Sequence, residues 1–256
     1  MGSVGYRKSS PDAPDDFFAA EAAGLRWLAA GGAPTVEVRA VGPRCIELEL
    51  LVSAPPSAAT AHAFGQALAT VHDSGVSGEF GCPPEDFTGR CYIGNRPMSS
   101  VQHARWGEFY VTERVLPFVR TAVDLGHVDP DSLVDIERAC AVIAEGTFDD
   151  REPPSRIHGD LWNGNVMWVA ERGAVLIDPA AHGGHRETDL AMLALFGCPQ
   201  LDEIIAGYRE THPLRPGWQD RVPVHQLHPL AVHAAGHGPG YGRALHAAAL
   251  ATLRLA

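Results

Sequence analysis

The chain has 256 residues, with 31 acidic and 20 basic side chains and a formal net charge of −11. So few cations argue against nucleic-acid binding, which needs clusters of Lys and Arg. No apolar run approaches the roughly 18 residues of a membrane span, and the N-terminus lacks the apolar core of a secretory signal. We therefore expect a cytoplasmic protein, large enough for one big domain or two lobes, with no membrane or nucleic-acid partner.

The first predicted helix follows the single lysine of the chain. Lys8 is the only lysine, and every other basic residue is arginine. That pattern suggests a position where a compact ammonium is needed and a guanidinium will not serve. Asp15-Asp16 begin a helix that places Glu21 on the apolar stripe one turn after Phe17. A carboxylate on a buried face needs a partner, and Lys8 is the candidate.

The next elements predict a small sheet followed by helices. Residues 36–41 and 45–51 are strand-like runs separated by a Gly-Pro turn, and a helix is predicted to begin after residues 54–57. A loop rich in Gly, Pro and polar residues covers positions 78–100. Further helical patterns and one β-hairpin are predicted at residues 106–123, 131–144, 166–169 and 174–177.

The most informative stretch runs from Ile157 to Asn165. Asp160 is followed five residues later by Asn165 and eighteen residues later by Asp178. Phosphoryl-transfer enzymes of the protein-kinase type place a base and a magnesium site in this order. We therefore predict that Asp160 accepts the proton of a substrate hydroxyl. Asn165 and Asp178 would supply the hard oxygen ligands that Mg²⁺ prefers.

The wider sequence around this stretch closely resembles the fructosamine kinase, or ketosamine 3-kinase, family. The resemblance extends from about residue 8 to the end of the chain. It is carried by eight segments in the same order: Phe17–Leu25, Trp106–Tyr110, His158–Asn165, Ile177–Ala180, Gly184–Met192, Leu195–Gly197, His225–Leu230 and Gly240–Tyr241.

The resemblance implies an α+β, protein-kinase-like fold with two lobes. Residues 1–52 would form a reduced N-terminal lobe and residues 53–256 a mainly helical C-terminal lobe that carries the catalytic and substrate residues. The family's glycine-rich hairpin over the phosphates is expected to be missing, because only seven residues precede Lys8. ATP and Mg²⁺ are the implied cofactors. Lys8 with Glu21, and the connector residues Glu49 and Leu51, would bind the nucleotide.

Several residues near the catalytic motif are assigned supporting roles by the same resemblance. Trp162 would contact the substrate sugar, with packing as a loop anchor as the alternative. His158, Arg186 and Asp189 are expected to orient the catalytic loop without taking part in the chemistry.

Histidines and cysteines elsewhere are expected to have no metal function. A set of histidines near the C-terminus lacks matching thiols or carboxylates, so zinc is not expected there: His225, His228, His233 and His237. The five cysteines are scattered and odd in number, which favours reduced, buried thiols over disulfides or a zinc site.

Taken together, the motif predicts an ATP-dependent small-molecule kinase, and the resemblance implies that it acts on the 3-hydroxyl of ketosamines, free or on a glycated protein amine. Loss of the 3-phosphate would then release the amine, which is a deglycation reaction. Two alternatives stay open: a phosphotransferase for another hydroxylated amine, such as an aminoglycoside or a choline-like compound, and a catalytically impaired kinase-like binding protein.

Overall fold

A computed structural model of the protein describes residues 5–256. A three-stranded antiparallel sheet opens the fold, in the order β1 (Gly5–Ser9), β3 (Cys45–Glu49) and β2 (Val38–Gly42). Helix α1 (Phe17–Ala30) lies between the first two strands in sequence. The family's glycine-rich hairpin was expected to be missing from residues 1–7. Of the two glycines in this segment, Gly2 lies outside the described residues and Gly5 is the first residue of β1.

The sheet and α1 share a small hydrophobic core that also reaches the second lobe. Phe18 and Leu25 of α1 pack with Ile46 of β3 and with Val175, all of them at most 1% exposed. Gly24 lets α1 approach the chain after Asp178 closely, because a Cβ there would lie 3.1 Å from Cγ of Pro179. This close approach places α1 beside the predicted catalytic segment.

The rest of the chain is mainly helical, with three short two-stranded sheets. The helices are α2 (Ala58–Asp73), α3 (Trp106–Phe109), α4 (Leu116–Asp124), α5 (Pro130–Ala144), α6 (Arg186–Leu195), α7 (Leu201–Thr211), α8 (Trp218–His237) and α9 (Pro239–Leu253). The strands are β4 (Cys91–Ile93), β5 (Arg96–Met98), β6 (Ser155–Ile157), β7 (Val166–Val169), β8 (Gly173–Leu176) and β9 (His182–Gly184).

Two of these small sheets hold the predicted catalytic segment. Strand β6 pairs antiparallel with β9, so Ile157 lies opposite His182 immediately before the His158 loop. Strands β7 and β8 form the predicted hairpin. This hairpin brings the end of the His158 loop, which precedes β7, close to the end of β8. A bridge between Thr35 and Leu176 ties this hairpin to the first lobe.

Local sequence signals explain most of these elements, and two features were not predicted. The helix expected after residues 54–57 begins at Ala58, where Ser57 and Thr60 form a reciprocal capping box. The loop at 78–100 contains the unpredicted hairpin β4–β5. The helical pattern over 106–123 is interrupted by a π-helical turn, Tyr110–Val115, between α3 and α4.

All five cysteines are free thiols, as expected. Cys82, Cys91 and Cys140 are buried as expected, whereas Cys45 and Cys198 are only partly buried. No helix formed by residues 5–256 is both long and apolar enough to cross a membrane.

Candidate active site

The segment that carries Asp160 folds so that the three predicted catalytic and metal residues meet. The side-chain amide of Asn165 donates to the backbone carbonyl of Asp160 at 2.8 Å and to its Oδ2 at 3.1 Å. The same amide lies 3.4 Å from the backbone carbonyl of Asp178. Burial raises the pKa of Asp160, and the nearby carboxylate of Asp178 adds to the rise. A polar pocket has therefore formed around these oxygens.

Lys8 reaches this pocket from β1 and bridges two carboxylates. Its Nζ lies 2.9 Å from Oε2 of Glu21 and 2.7 Å from Oδ1 of Asp178. Burial alone would lower the pKa of Lys8, but the two carboxylates outweigh it and raise that pKa. Burial raises the pKa of Glu21 to about 7 against the opposing charge of Lys8. The predicted partnership of Lys8 with Glu21 is therefore present in the geometry, and Asp178 joins it.

The backbone of the catalytic loop is held by Asp189 of α6. Its carboxylate accepts hydrogen bonds from the N–H groups of His158 at 2.7 Å and of Gly159 at 3.0 Å. The His158 ring spans the loop, with Nε2 2.9 Å from the carbonyl of Ile177 and Nδ1 accepting from the N–H of Asp160 at 3.2 Å. This arrangement is the one expected of residues that orient the loop, and their functional roles stay predictions.

Gly159 fits a position that no larger residue can occupy without strain. Its φ is +80°, and a Cβ would lie 2.3 Å from the carbonyl oxygen of Ala180. Gly197 has a similar φ of +77° with nothing within 4 Å of its Cβ position. The Gly197→Ala variant should lose about 1 kcal/mol from left-handed strain. We expect Gly159→Ala to lose about 1–3 kcal/mol more from the clash.

Urea unfolding of the two variants checks this expectation, because Gly197→Ala carries the backbone strain without the close contact. Equal losses of unfolding free energy in both variants would contradict the tight packing of Gly159 against Ala180.

Two adjoining cavities share Lys8 and Asp178. The first is lined by Glu21, Asp160 and Asn165, together with Phe17, Ala20, Pro84, Cys91, Tyr92, Gly94 and residues 179–181. The second is more apolar and is lined by Tyr6, Val36, Leu48, Glu49, Leu50, Leu51, Met167 and Ile177. The shared ion pair thus separates a polar chamber from an apolar slot.

Glu49 and Leu51 lie on the apolar slot, as the predicted connector requires. The side chain of Glu49 turns away from it, since Oε1 accepts from the N–H of Glu37 at 2.9 Å and from Arg172 at 2.7 Å. The N–H of Glu49 also donates to the carbonyl of Glu37 at 3.0 Å. Binding of adenine by the main chain of this connector therefore stays a prediction.

Trp162 lies outside both cavities and belongs to an aromatic surface cluster. It is 39% exposed and packs edge-to-face with Phe196 at 6.2 Å. Phe196 in turn lies 4.8 Å from the ring of His233 in α8. Burial lowers the pKa of His233, and attraction to the Asp160 carboxylate opposes that fall. Tyr92 lines the first cavity and was missed, because no local pattern reveals which hairpin faces it.

Arg186, at the start of α6, binds residues of α2 and α7. Its Nη1 donates to Oδ1 of Asp73 at 2.8 Å and to the hydroxyl of Tyr208 at 3.2 Å. Tyr208 contacts His72, which approaches Asp189 at 3.2 Å. Any support that Arg186 gives to the catalytic loop is therefore indirect.

Among residues 5–256, one buried group has metal-like ligands: His185, Glu187 and His225. The N–H of Glu187 donates to Nδ1 of His185 at 3.1 Å, and Nε2 of His185 lies 3.1 Å from Asp150. Both oxygens of Glu187 accept from Arg221, at 2.9 Å and 2.5 Å. Since the ligand atoms already have partners and a guanidinium is present, this group is a hydrogen-bonded network that fits a metal poorly.

This network makes an acid-dependent contribution to stability. Burial alone would raise the pKa of Glu187, but the hydrogen bonds from His225 and Arg221 outweigh it and lower the pKa to about 2. A depressed carboxylate pKa contributes stability above the unfolded-state value near 4.5, and that stability is lost as the pH falls toward 2. We expect unfolding free energy to fall by up to about 3 kcal/mol over this window.

Urea unfolding between pH 7 and pH 2.5 measures that fall. In Glu187→Gln the acid dependence should flatten, and the deficit of the variant relative to wild type should shrink as the pH falls. Glu47→Gln, which removes an exposed carboxylate, should keep the wild-type slope. An unchanged slope in Glu187→Gln would contradict the role of this group.

Residues 6–254 match the family model described as fructosamine kinase. A relative from Vibrio parahaemolyticus, named as a probable ketoamine kinase, is 34% identical over 70% of this chain and 58% of its own length. The chain thus spans less than two thirds of that relative.

Solved structures show the same relationship at the level of the fold. The crystal structure of a candidate fructosamine-3-kinase from Thermobifida fusca is 44% identical, with a TM-score of 0.91 over 99% of this chain and 86% of that one. The aminoglycoside phosphotransferase APH(4)-Ia, at 15% identity and a TM-score of 0.60 over 94% of this chain and 82% of its own, shares the fold alone. The predicted α+β, protein-kinase-like fold with two lobes is confirmed.

Proposed function

This chain belongs to the fructosamine kinase family, and from that premise we propose that it is an ATP-dependent phosphotransferase acting on the 3-hydroxyl of a ketosamine. The observation that carries the proposal is the convergence of five side chains on one cavity: Lys8, Glu21, Asp160, Asn165 and Asp178. A catalytically impaired binding protein has no need to keep this complete set together.

Asp160 is the proposed base. Its carboxylate is mostly enclosed, lies next to the predicted metal ligands and has a hydrogen-bond donor in Asn165. An acceptor hydroxyl placed in this cavity would be oriented by Asp160 and would give up its proton to that carboxylate as the phosphoryl group is transferred. Most of the rate would come from positioning and from the charges fixed around the reacting oxygens.

The proposed magnesium ligands are Asn165 and Asp178. One amide oxygen and one carboxylate fit Mg²⁺, which usually takes one or two protein carboxylates and completes its coordination with phosphate and water. When bound, the metal would neutralise charge on the nucleotide phosphates. Lys8, which pairs with Asp178 and Glu21, would contact the same phosphates.

The apolar slot is the proposed adenine site. Glu49 and Leu51 line one part of it, and Lys8 and Asp178 line another. Main-chain groups of the connector to which Glu49 and Leu51 belong would bind the adenine ring. Because Lys8 and Asp178 line both cavities, the phosphates would lie between the adenine ring in the apolar slot and the acceptor hydroxyl beside Asp160. This placement supports a lobe boundary near residue 52, which we propose for this chain.

On the acceptor side, Trp162 is the proposed substrate contact, as part of the rim that it forms with Phe196 and His233.

The proposed product would release its amine in two further steps. Enolisation of a phosphorylated ketosamine between C1 and C2 leaves the 3-phosphate on the carbon next to the new double bond. Loss of inorganic phosphate then gives an imine that water hydrolyses to the free amine. The proposed cellular role is therefore deglycation of amines or proteins, in the cytoplasm and without a nucleic-acid or membrane partner.

The proposed function is tested by measuring ADP release from Mg-ATP with ribulosamine, fructosamine and aminoglycoside acceptors, with fructose as the acceptor that lacks an amine. We expect turnover with a ketosamine, confirmed by a phosphate ester at O3 in the ³¹P NMR spectrum. Turnover with the aminoglycosides alone would move the assignment to another hydroxylated amine. No turnover by well-folded protein would reject the enzymatic function.

A further inference from the structure

A buried arginine lies behind the catalytic cavity. Arg114 is 1% exposed and belongs to the π-helical turn Tyr110–Val115. Such turns are rare in helices and are often found at functional sites. Its guanidinium lies 4.6 Å from the ring centroid of Phe109. Within residues 5–256 it has no carboxylate at ion-pair distance.

Keeping this charge in the interior is costly. A buried cation without a paired anion loses its hydration, and the penalty is several kcal/mol. Burial lowers the pKa of Arg114 to about 9, so the group is still charged at neutral pH. Its Nη2 has no hydrogen-bond partner in the described chain. A residue serving packing alone would be replaced at lower cost by an apolar side chain of similar length.

The hydrogen bonds that Arg114 does make point toward the catalytic turn. Its Nε donates to Nε2 of His182 at 3.3 Å. Because that nitrogen accepts, the proton of the neutral imidazole lies on Nδ1, which donates to the carbonyl of Ala180 at 2.8 Å. The N–H of Ala180 donates to the carbonyl of His158 at 3.0 Å. These contacts therefore connect Arg114, through His182, with Ala180 and His158. Ala180 lies two residues after Asp178, and His158 lies two residues before Asp160.

The same guanidinium also binds the cavity wall on the acceptor side. Its Nη1 donates at 3.0 Å to the carbonyl of Ser99, just after β5. The hairpin β4–β5 supplies Cys91, Tyr92 and Gly94 to the cavity of Asp160. On one side Arg114 thus contacts the chain at the end of hairpin β4–β5, which we call the acceptor hairpin. On the other side it reaches, through His182, the turn that follows Asp178.

We propose that Arg114 is a positioning residue that fixes the turn after Asp178 against the acceptor hairpin by holding His182 in a single tautomer. This inference rests on the proposed function, because it assigns Asp178 to the metal. A planar guanidinium can donate to His182, Ser99 and its own turn at the same time, whereas an ammonium cannot match that geometry.

The test compares Arg114→Met, Arg114→Lys and a matched control, Arg156→Met. Arg156 also stacks on an aromatic ring, 4.5 Å from the Trp27 centroid, and donates to main-chain carbonyls. Two readouts need no catalysis: the ¹⁵N spectrum of the His182 imidazole and the amide hydrogen exchange of Ala180, both in the full chain without nucleotide. A third is Mn²⁺ affinity in the presence of ADP, measured by electron paramagnetic resonance.

We expect Arg114→Met to lose the single Nδ1–H tautomer of His182, to exchange the Ala180 amide faster, and to bind Mn²⁺ about 10–100-fold more weakly, as when a partner of a metal ligand is lost. Arg114→Lys should show a weaker form of each change, and Arg156→Met should match wild type. Wild-type values of tautomer and exchange in folded Arg114→Met would overturn the inference. Absence of ketosamine turnover in the wild type would overturn only the proposed function, since the first two readouts do not depend on it.

Discussion

Replacing Asp160 with Asn should reduce ketosamine turnover by about 10²–10⁴-fold, the range expected for removing a general base. The amide has nearly the same shape, but it cannot take the proton of the acceptor hydroxyl. Steady-state ADP release at saturating Mg-ATP measures the loss. Because the apolar slot and the pair between Lys8 and Glu21 are untouched, binding of Mg-ADP should change little.

Asn163→Asp is a matched control for that variant. It makes the reverse exchange of amide and acid in the same loop, at a residue that lies outside the cavity of Asp160. Turnover by this control should stay far above that of Asp160→Asn. Substantial activity in Asp160→Asn, or an equal loss in both variants, would remove Asp160 from the role of base.

The positions of site residues could be predicted from the sequence where the chemistry requires side chains at a fixed spacing. Asp160, Asn165 and Asp178 come together because a loop and a hairpin of fixed length separate them, and these lengths are visible in the chain. Glu21 could be assigned to a buried face from helical periodicity alone, and it is 7% exposed in the structure. Local rules sufficed for both.

Other parts of the site depend on contacts between distant segments. Tyr92 enters the cavity on a hairpin whose turn at Gly94-Asn95 lies within a stretch that reads as a loop, and three-residue strands are too short for an alternating pattern. The contacts of Arg114 and His182 join residues 68 positions apart. A single sequence carries no local record of that pairing. The π-helical turn that orients Arg114 also has no periodic signal of its own.

Replacing Lys8 with Met should lower kcat/KM for Mg-ATP by about 10²–10³-fold. The change removes the proposed donor to the phosphates from a site where preorganised charge would supply a large part of the rate. The loss combines two effects. The phosphates lose a cation, and Asp178 loses the partner that now lies 2.7 Å away. Kinetics at varied Mg-ATP, with acceptor in excess, measure the change. Arg7→Met, which alters the neighbouring exposed residue paired with Glu47, should keep wild-type kinetics.

The double variant Lys8→Met/Glu21→Gln separates catalysis from folding. In Lys8→Met, Glu21 is left buried without its cation, and a carboxyl whose pKa is already raised to about 7 would take up a proton. Replacing that carboxyl with the neutral amide should recover unfolding free energy lost in the single variant, because the cost of protonating a buried carboxyl at neutral pH is then removed. Activity should not recover, because the phosphates still lack the ammonium. If the double variant regained turnover together with stability, Lys8 would be a structural counter-ion of Glu21, and the phosphate contact would have to come from another residue.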